Sequence, residues 1–192
     1  MMSILDILLI AIGLAMDCLA VSVASGIILK KFQWKRVLRM ALLFGMFQAI
    51  MPLLGWLSGV WFKSYMEAYD HWVSLIILTF LGIKMLREGA ASEEEEELRG
   101  KSIHPTQWKN LLLLSLATSI DALATGIVFI PFSIQLLIIA LSIIGFISFL
   151  FSIIGNYIGS HFGGKFNFRI EILGGIILIG IGLKIFATHM WL

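Results

Sequence analysis

The chain contains few charged residues and only one cysteine. Asp, Glu, Lys and Arg make up 14% of its 192 residues, whereas soluble domains contain about 25%. The single Cys18 excludes an intrachain disulfide and any CxxC metal site. No GxxxxGKS or GxxxxGKT segment occurs, so the sequence offers no phosphate-binding loop for ATP. These absences argue against an ordinary soluble domain and against an ATP-driven machine.

Long apolar runs take the place of charge, and hydrophobic residues account for 59% of the chain. Each run approaches the 20 or so helical residues that cross a hydrocarbon core of about 30 Å. The alternating pattern of a membrane barrel is missing, which leaves helices to satisfy the backbone in lipid. The N-terminus lacks a basic segment and is interpreted as the first span, not a cleavable signal. The predicted spans are residues 4–28, 40–62, 72–87, 110–130, 133–160 and 170–188.

Basic residues are distributed unevenly between the two sets of loops. Eleven lie in the loops that follow odd-numbered spans, and Lys63 alone lies in the others. The positive-inside rule therefore predicts that the basic loops are cytoplasmic and that both termini are outside. Because these residues belong to membrane surfaces, the net charge of +2 does not indicate a nucleic-acid partner. The acidic run 93–97 falls in the longest loop, residues 88–109, which is interpreted as a solvated cytoplasmic linker.

The two halves of the chain resemble each other. The segment "IILTFLGIK" at 76–84 returns as "IILIGIGLK" at 176–184, an offset of 100. An offset of 104 places "MDCLAVS" on "IDALATG", and therefore Asp17 on Asp121. With three spans in each half, the second half must enter the membrane from the opposite side. The predicted fold is an all-α integral membrane protein with two inverted-topology three-helix repeats, residues 1–87 and 110–192.

Asp17 and Asp121 are predicted to lie near the middle of the bilayer. An aspartate there costs about 3 kcal/mol on insertion scales, and such residues usually face the interior of a bundle. Each carboxylate could instead be paired with a lysine on a neighbouring helix, and the candidates are Lys84 and Lys184; both are close to span ends, so they are expected to reach toward the headgroups. Two carboxylates without a cation from the protein cannot both stay ionised in low dielectric. The pair is therefore predicted to bind a mobile cation, either a proton or a metal ion.

Other polar residues near these aspartates suit a hard cation. Gln48 is predicted as a third ligand, because Pro52 four residues later frees the Gln48 backbone carbonyl. Oxygen ligands favour magnesium, manganese or calcium over zinc or copper. Cys18 is expected to pack as a small apolar residue. The supporting hydroxyl groups are those of Ser22, Ser25, Thr118, Ser119 and Thr125.

Acidic residues at span ends have two readings. Asp70 and His71 begin the third span, and Glu171 begins the sixth at the matching repeat position. They are candidate gates, although solvation at a helix N-terminus explains them equally well. Asp6 lies at the outer end of the first span, either at the mouth of a pathway or at the water interface.

With these residues in place, the sequence resembles the MntP family of bacterial manganese efflux pumps, within a lysine-exporter-like superfamily. The resemblance implies export of Mn²⁺ across the inner membrane, with the cation as substrate and no cofactor. It also implies that Asp17 and Asp121 are needed for activity. Gln48 departs from relatives expected to carry an acid there. The segments that carry the resemblance are "MDCLAVS", "PLLGWLSG", "DHWVSLIILTFLGIKMLREG", "SIDALATG" and "EILGGIILIGIGLKI".

Alternatives to manganese export remain open in the sequence. The aspartate pair is also compatible with another divalent cation, and the superfamily suggests a cationic amino acid. An amino acid would require a partner for its carboxylate, and no arginine is predicted at mid-membrane. An intramembrane aspartyl protease would carry GxGD within a span, and this motif is missing. The chain is predicted not to be an enzyme, and its oligomeric state is left open.

Overall fold

The computed structural model describes residues 3–60, 70–90, 108–162 and 170–190. This part of the chain contains helices and connecting turns and no strand, which confirms the all-α prediction. A helix occupies each of the six apolar segments. The helices are α1 (Ile4–Leu29), α2 (Trp34–Val60), α3 (Asp70–Ala90), α4 (Trp108–Val128), α5 (Ile134–Phe162) and α6 (Ile170–Met190).

Four helices, namely α1, α2, α4 and α5, are long and apolar enough to cross a membrane. Many of the side chains that face outward are large and apolar, including Ile138 and Phe146 of α5. This arrangement is that of a multi-pass membrane protein. Helices α3 and α6 have 21 residues each, which corresponds to a length of about 31 Å at 1.5 Å per residue.

Local signals set both ends of α1. The Ser3 hydroxyl accepts a hydrogen bond from the Asp6 backbone N–H, and the Asp6 carboxylate accepts one from the Ser3 backbone N–H. This reciprocal capping box satisfies donors that the first turn would otherwise leave unpaired. At the other end, Lys30 takes a left-handed conformation with φ of 52°, and its N–H donates to the Gly26 carbonyl. Asp6 therefore has a structural role that its position at the span end did not predict.

The start of α2 differs from the sequence prediction by six residues. The predicted span began at residue 40, whereas the helix begins at Trp34. Lys35, Arg36 and Arg39 are exposed and lie on this additional turn and a half. Hydropathy excluded them because they are charged, but charge does not end a helix that extends into the headgroup region.

Equivalent helices of the two halves make equivalent contacts. α1 packs on α5 and α2 packs on α4, while α3 packs on α6 and α2 on α5. Smaller contacts join α1 to α6 and α3 to α4. Exchanging α1 with α4, α2 with α5 and α3 with α6 converts this set of contacts into itself.

Glycines allow these helices to touch through their backbones. A Cβ atom added at Gly155 would lie 2.6 Å from the Leu19 carbonyl oxygen, and one added at Gly55 would overlap the Leu123 carbonyl oxygen. Gly45 and Gly145 face each other, since a Cβ on either would lie within about 3 Å of the other's carbonyl oxygen. Small residues at helix contacts are the usual route to close packing in lipid, where apolar burial gives little net gain.

We expect Gly55→Ala to destabilise the protein because its new methyl group would collide with the α4 backbone, which cannot move aside as a side chain can. The expected loss is about 1–3 kcal/mol, the usual cost of overpacking. Gly180→Ala is the matched control, because nothing lies within 4 Å of a Cβ at Gly180. Thermal unfolding of the purified protein in detergent measures both. Equal midpoints for the two variants would contradict the α2–α4 contact.

Candidate cation site

Gln48 joins three helices in the middle of the bundle. Its side chain is completely buried in α2. The Gln48 Nε2 donates to the Thr118 backbone carbonyl of α4 at 3.1 Å and to the Cys18 Sγ of α1 at 3.4 Å. The Gln48 Oε1 is buried and accepts no hydrogen bond within the described part of the chain. A buried carbonyl oxygen is thus left available where α1, α2 and α4 meet.

Asp17 and Cys18 belong to the same region. Asp17 is half-buried, whereas Cys18 is completely buried. The Cys18 thiol lies near the Thr118 and Ser148 side chains. It also belongs to an apolar cluster with residues that include Phe44, in agreement with its predicted packing role. The geometry leaves the ligand role of Asp17 a prediction.

Asp121 has a cation from the protein itself. The Lys84 Nζ of α3 lies 2.6 Å from the Asp121 Oδ2, and Asp121 is only 7% exposed. The expectation that Lys84 extends to the headgroups and leaves the carboxylates without a counter-ion is therefore wrong for Asp121. The position of Lys84 near the end of α3 does not show which side chains of the neighbouring helix lie beside it. The Asp121 carboxylate on the neighbouring helix α4 lies within reach of the ammonium, and a buried carboxylate left without a partner is costly.

Lys184 behaves in the same way. Its Nζ lies 2.5 Å from the Asp6 Oδ1, and the Asp6 side chain is almost entirely buried. This ion pair lies near the ends of α1 and α6, so the expectations that Lys184 reaches toward the headgroups and that Asp6 lies at the span end stay predictions. Lys84 and Lys184 stand 100 residues apart in the two halves, and each forms an ion pair with the first helix of a half.

The hydroxyl groups of α4 are occupied locally. The Thr118 hydroxyl donates to the Leu114 carbonyl at 3.0 Å, and the Ser119 hydroxyl donates to the Ser115 carbonyl at 2.7 Å. The Thr125 hydroxyl donates to the Asp121 backbone carbonyl at 3.0 Å. Such bonds to the preceding turn satisfy a buried hydroxyl without any ligand. The structure therefore gives these three residues a sufficient structural explanation.

Ser22 and Ser25 on α1 are both buried. The Ser22 Oγ has no hydrogen-bond partner in the described part of the chain. Ser22 therefore differs from the α4 hydroxyls, and its oxygen is available to a ligand.

Three buried polar residues on α5 are not among the residues predicted from the sequence. Ser148, Ser152 and Asn156 are all buried. Their four-residue spacing within an apolar helix is a signal that places them on one face, and it could have identified them. Ser148 stands at the repeat position of Gln48, an offset of 100.

The remaining predicted residues give no further ligands. Asp70 begins α3 and His71 follows it, while Glu171 lies in the first turn of α6. Their side chains, like most of the acidic linker, lie outside the described residues. Within the described ranges, no group of three or more His, Cys, Asp and Glu side chains comes together. Any metal site here must rely on amide, hydroxyl or backbone oxygens in addition to carboxylates.

An apolar helical bundle with buried carboxylates and amides defines the chain as a multi-pass membrane protein with a polar interior. The family described as "Putative manganese efflux pump" matches residues 31–186, and the chain belongs to this family. The resemblance noted in the sequence is thereby confirmed. The family is one of transporters and not of enzymes, as predicted.

Individual relatives match almost the whole chain. One from Bacteroides fragilis is 48% identical over 192 residues and covers 97% of each chain. One from Phocaeicola vulgatus is 44% identical over 194 residues and covers all of both chains. One from Mannheimia succiniciproducens is 43% identical over 188 residues and covers 98% of each. All three carry the name "Putative manganese efflux pump MntP". No solved structure matches the chain.

We expect Lys84→Met to destabilise the protein more than the double variant Lys84→Met/Asp121→Asn does. Removing only the ammonium leaves the buried Asp121 carboxylate without this partner, whereas the double change also removes the charge. Thermal unfolding of the parent, both single variants and the double variant completes the cycle. Strictly additive shifts in the unfolding midpoint would show that the ion pair contributes nothing.

Proposed function

We propose that this protein exports Mn²⁺ from the cytoplasm across the bacterial inner membrane as a secondary transporter. Membership of the manganese efflux family carries the proposal, and relatives with that name match nearly the full chain. The cation is the substrate and not a resident cofactor. The buried oxygen atoms around Gln48 are ligands of the kind that a hard divalent cation prefers.

The proposed architecture consists of six membrane-spanning helices in two inverted repeats, residues 1–87 and 110–192. The symmetric set of helix contacts supports it. So does the mutual contact of Gly45 and Gly145, because residues related by a two-fold axis meet only near that axis. In transporters of this kind the substrate site lies at mid-membrane where the repeats meet. Gln48 lies at such a meeting point, between α1 and α4.

The proposed ligands are Asp17, Gln48 and Asp121. Gln48 would contribute its buried Oε1, and Asp17 would contribute charge from the position next to Cys18. Asp121 is not an uncompensated carboxylate, because the Lys84 ammonium is bound to it. Family membership and the Gln48 region therefore support this ligand set. Asp121 is proposed as a ligand only when Lys84 has left it.

Lys84 is proposed to act as a tethered counter-ion that exchanges with the substrate. A carboxylate at membrane depth is costly without a positive partner. The Lys84 ammonium supplies this partner at 2.6 Å when no metal is present. An incoming divalent cation, or a proton after the metal has left, would replace it. Exchange of Mn²⁺ for protons on these carboxylates would then couple export to the proton gradient.

The proposed orientation places both termini in the periplasm. In the described part, Lys30 and Lys31 lie between α1 and α2, and Lys35, Arg36 and Arg39 lie in the first turns of α2; all five are exposed. The positive-inside rule assigns this end of the bundle to the cytoplasm. Asp6 and Lys184 then lie on the periplasmic side.

Asp17→Asn and Asp121→Asn are expected to abolish protection of a manganese-sensitive bacterial host, because a neutral amide cannot balance the charge of Mn²⁺. Growth on manganese measures protection, and immunoblotting of membranes verifies equal amounts of protein. Asp6→Asn is the matched control on α1, since it removes the same charge from the periplasmic capping box and is expected to retain protection. Equal protection by Asp17→Asn and the parent would remove Asp17 from the mechanism.

Transport into inverted vesicles distinguishes the possible substrates. We expect Mn²⁺ uptake that excess lysine does not reduce, because no buried arginine is found in the described part of the bundle to receive an amino acid carboxylate. Competition by Mg²⁺, Zn²⁺ and Cd²⁺ measures the selectivity of the oxygen ligands. Strong inhibition by lysine would favour a cationic amino acid as the substrate. The protease alternative is set aside by membership of a transporter family.

A further inference from the structure

The contact between α1 and α5 contains a stripe of polar side chains. The α5 side contributes Ser148, Ser152 and Asn156, and the α1 side contributes Ser22 and Ser25, all of them buried. We call these five residues the α1–α5 polar stripe. The helices run parallel here, because Gly155 meets Leu19 and Gly159 meets Val23.

Several polar atoms of this stripe are buried without a hydrogen-bond partner in the described part of the chain. They are the Ser22 Oγ, the Ser148 Oγ and both side-chain atoms of Asn156, Oδ1 and Nδ2. Asn156 is only 1% exposed and Ser22 is completely buried. Leaving such a group unpaired costs about 1–3 kcal/mol. Packing alone would favour apolar residues of similar size at these positions.

The equivalent contact in the other half, between α2 and α4, has Gln48 at the repeat position of Ser148, but it lacks side-chain oxygen atoms at the other positions of the stripe that carry unpaired ones. By the repeat offsets, Asn156 corresponds to Trp56, Ser22 to Gly126 and Ser25 to Phe129. Phe129 is completely buried and stacks on Phe132, with ring centroids 5.0 Å apart. Trp56 contributes one unpaired N–H, but no oxygen. Both contacts must bring glycine-lined helices together, so the requirement for close packing does not explain the oxygen atoms of the α1–α5 contact.

The stripe extends from the Gln48 region toward the basic end of the bundle. Ser148 lies near the Cys18 thiol, which accepts a hydrogen bond from Gln48. Ser25 and Asn156 lie one to two turns nearer the exposed Lys30–Arg39 segment. Neutral oxygen ligands without a carboxylate bind a hard cation weakly, which suits a site that a cation enters and leaves.

We propose that the α1–α5 polar stripe is a second, weak Mn²⁺-binding site, through which the cation passes between the cytoplasm and the Gln48 region. This inference rests on the proposed function. Asn156 Oδ1 and Ser22 Oγ are its principal ligands, and Ser148 Oγ connects it to the central site. The site discriminates by oxygen chemistry, because it contains no thiol or imidazole of its own.

The test measures initial rates of Mn²⁺ uptake into inverted vesicles for the parent, Asn156→Leu and Ser22→Ala. We expect the KM for Mn²⁺ to rise about tenfold or more in both, a change typical when groups that support a metal ligand set are lost. Ser115→Ala is the matched control. Ser115 is also a completely buried serine, but its hydroxyl donates to the Leu111 carbonyl of its own helix at 2.7 Å. We expect an unchanged KM for this variant.

Thermal unfolding of the same variants separates transport from structure. Asn156→Leu removes two unpartnered polar atoms, so its unfolding midpoint should equal or exceed that of the parent. If the parent chain transports Mn²⁺ and the KM is unchanged in both variants, the second site is overturned and the proposed function stands. Loss of transport together with a large fall in the unfolding midpoint in both variants would assign these residues to structure and also overturn the site. A parent chain that moves no Mn²⁺ would overturn the proposed function, and this inference with it.

Discussion

Contact between helix backbones at glycine is the constraint on which the rest of this structure depends. In a bilayer, apolar side chains gain little by leaving lipid for protein, so helices are held together by close packing and polar contacts. Gly55 against Leu123 and Gly155 against Leu19 provide this packing at equivalent positions of the two halves. Because the backbones touch, little space is left between helices, and only small side chains fit there. The serines of the α1–α5 contact therefore occupy positions where larger ligands could not.

Burial inside the bundle then requires each polar group to find a partner within the protein. Hydroxyls on α4 donate to their own helix, and so does Ser152 on α5. Lys84 and Lys184 instead connect helices, since each neutralises a carboxylate on the helix beside it. The side-chain oxygen atoms of Gln48 and Asn156 have no such hydrogen bond in the described part of the chain. They are thus the buried atoms of the described bundle that the proposed pathway assigns to the cation.

Hydropathy and repetition predicted the helices well because both depend on residues close in sequence. The first span was predicted at 4–28 and α1 covers Ile4–Leu29; the fifth was predicted at 133–160 and α5 covers Ile134–Phe162. The ion pair of Lys84 with Asp121 could not be predicted in this way, because it depends on which helices are neighbours. Asn156 could have been predicted from the sequence, because the polar residues of α5 are spaced by four and therefore share one face of the helix. The sequence does not distinguish a hydroxyl that donates to its own helix, as those of Thr118 and Thr125 do, from one without a partner.

The difference between the two helix contacts bears on the direction of transport. Rocking of the proposed inverted repeats would exchange their conformations but not their side chains. The α1–α5 contact, with Asn156 and Ser22, and the α2–α4 contact, with Trp56 and Gly126 at the equivalent positions, would therefore remain different in every state. On the proposed orientation, a cation meets oxygen atoms on the cytoplasmic side and Phe129 on the periplasmic side. Such an arrangement raises the rate of capture from the cytoplasm and lowers the rate of rebinding from outside. It does not by itself drive net export, because binding sites change rates and affinities but supply no free energy over a cycle. On the proposed mechanism of secondary transport the driving force comes from a coupled gradient, and the carboxylates of Asp17 and Asp121 are the groups proposed to carry protons.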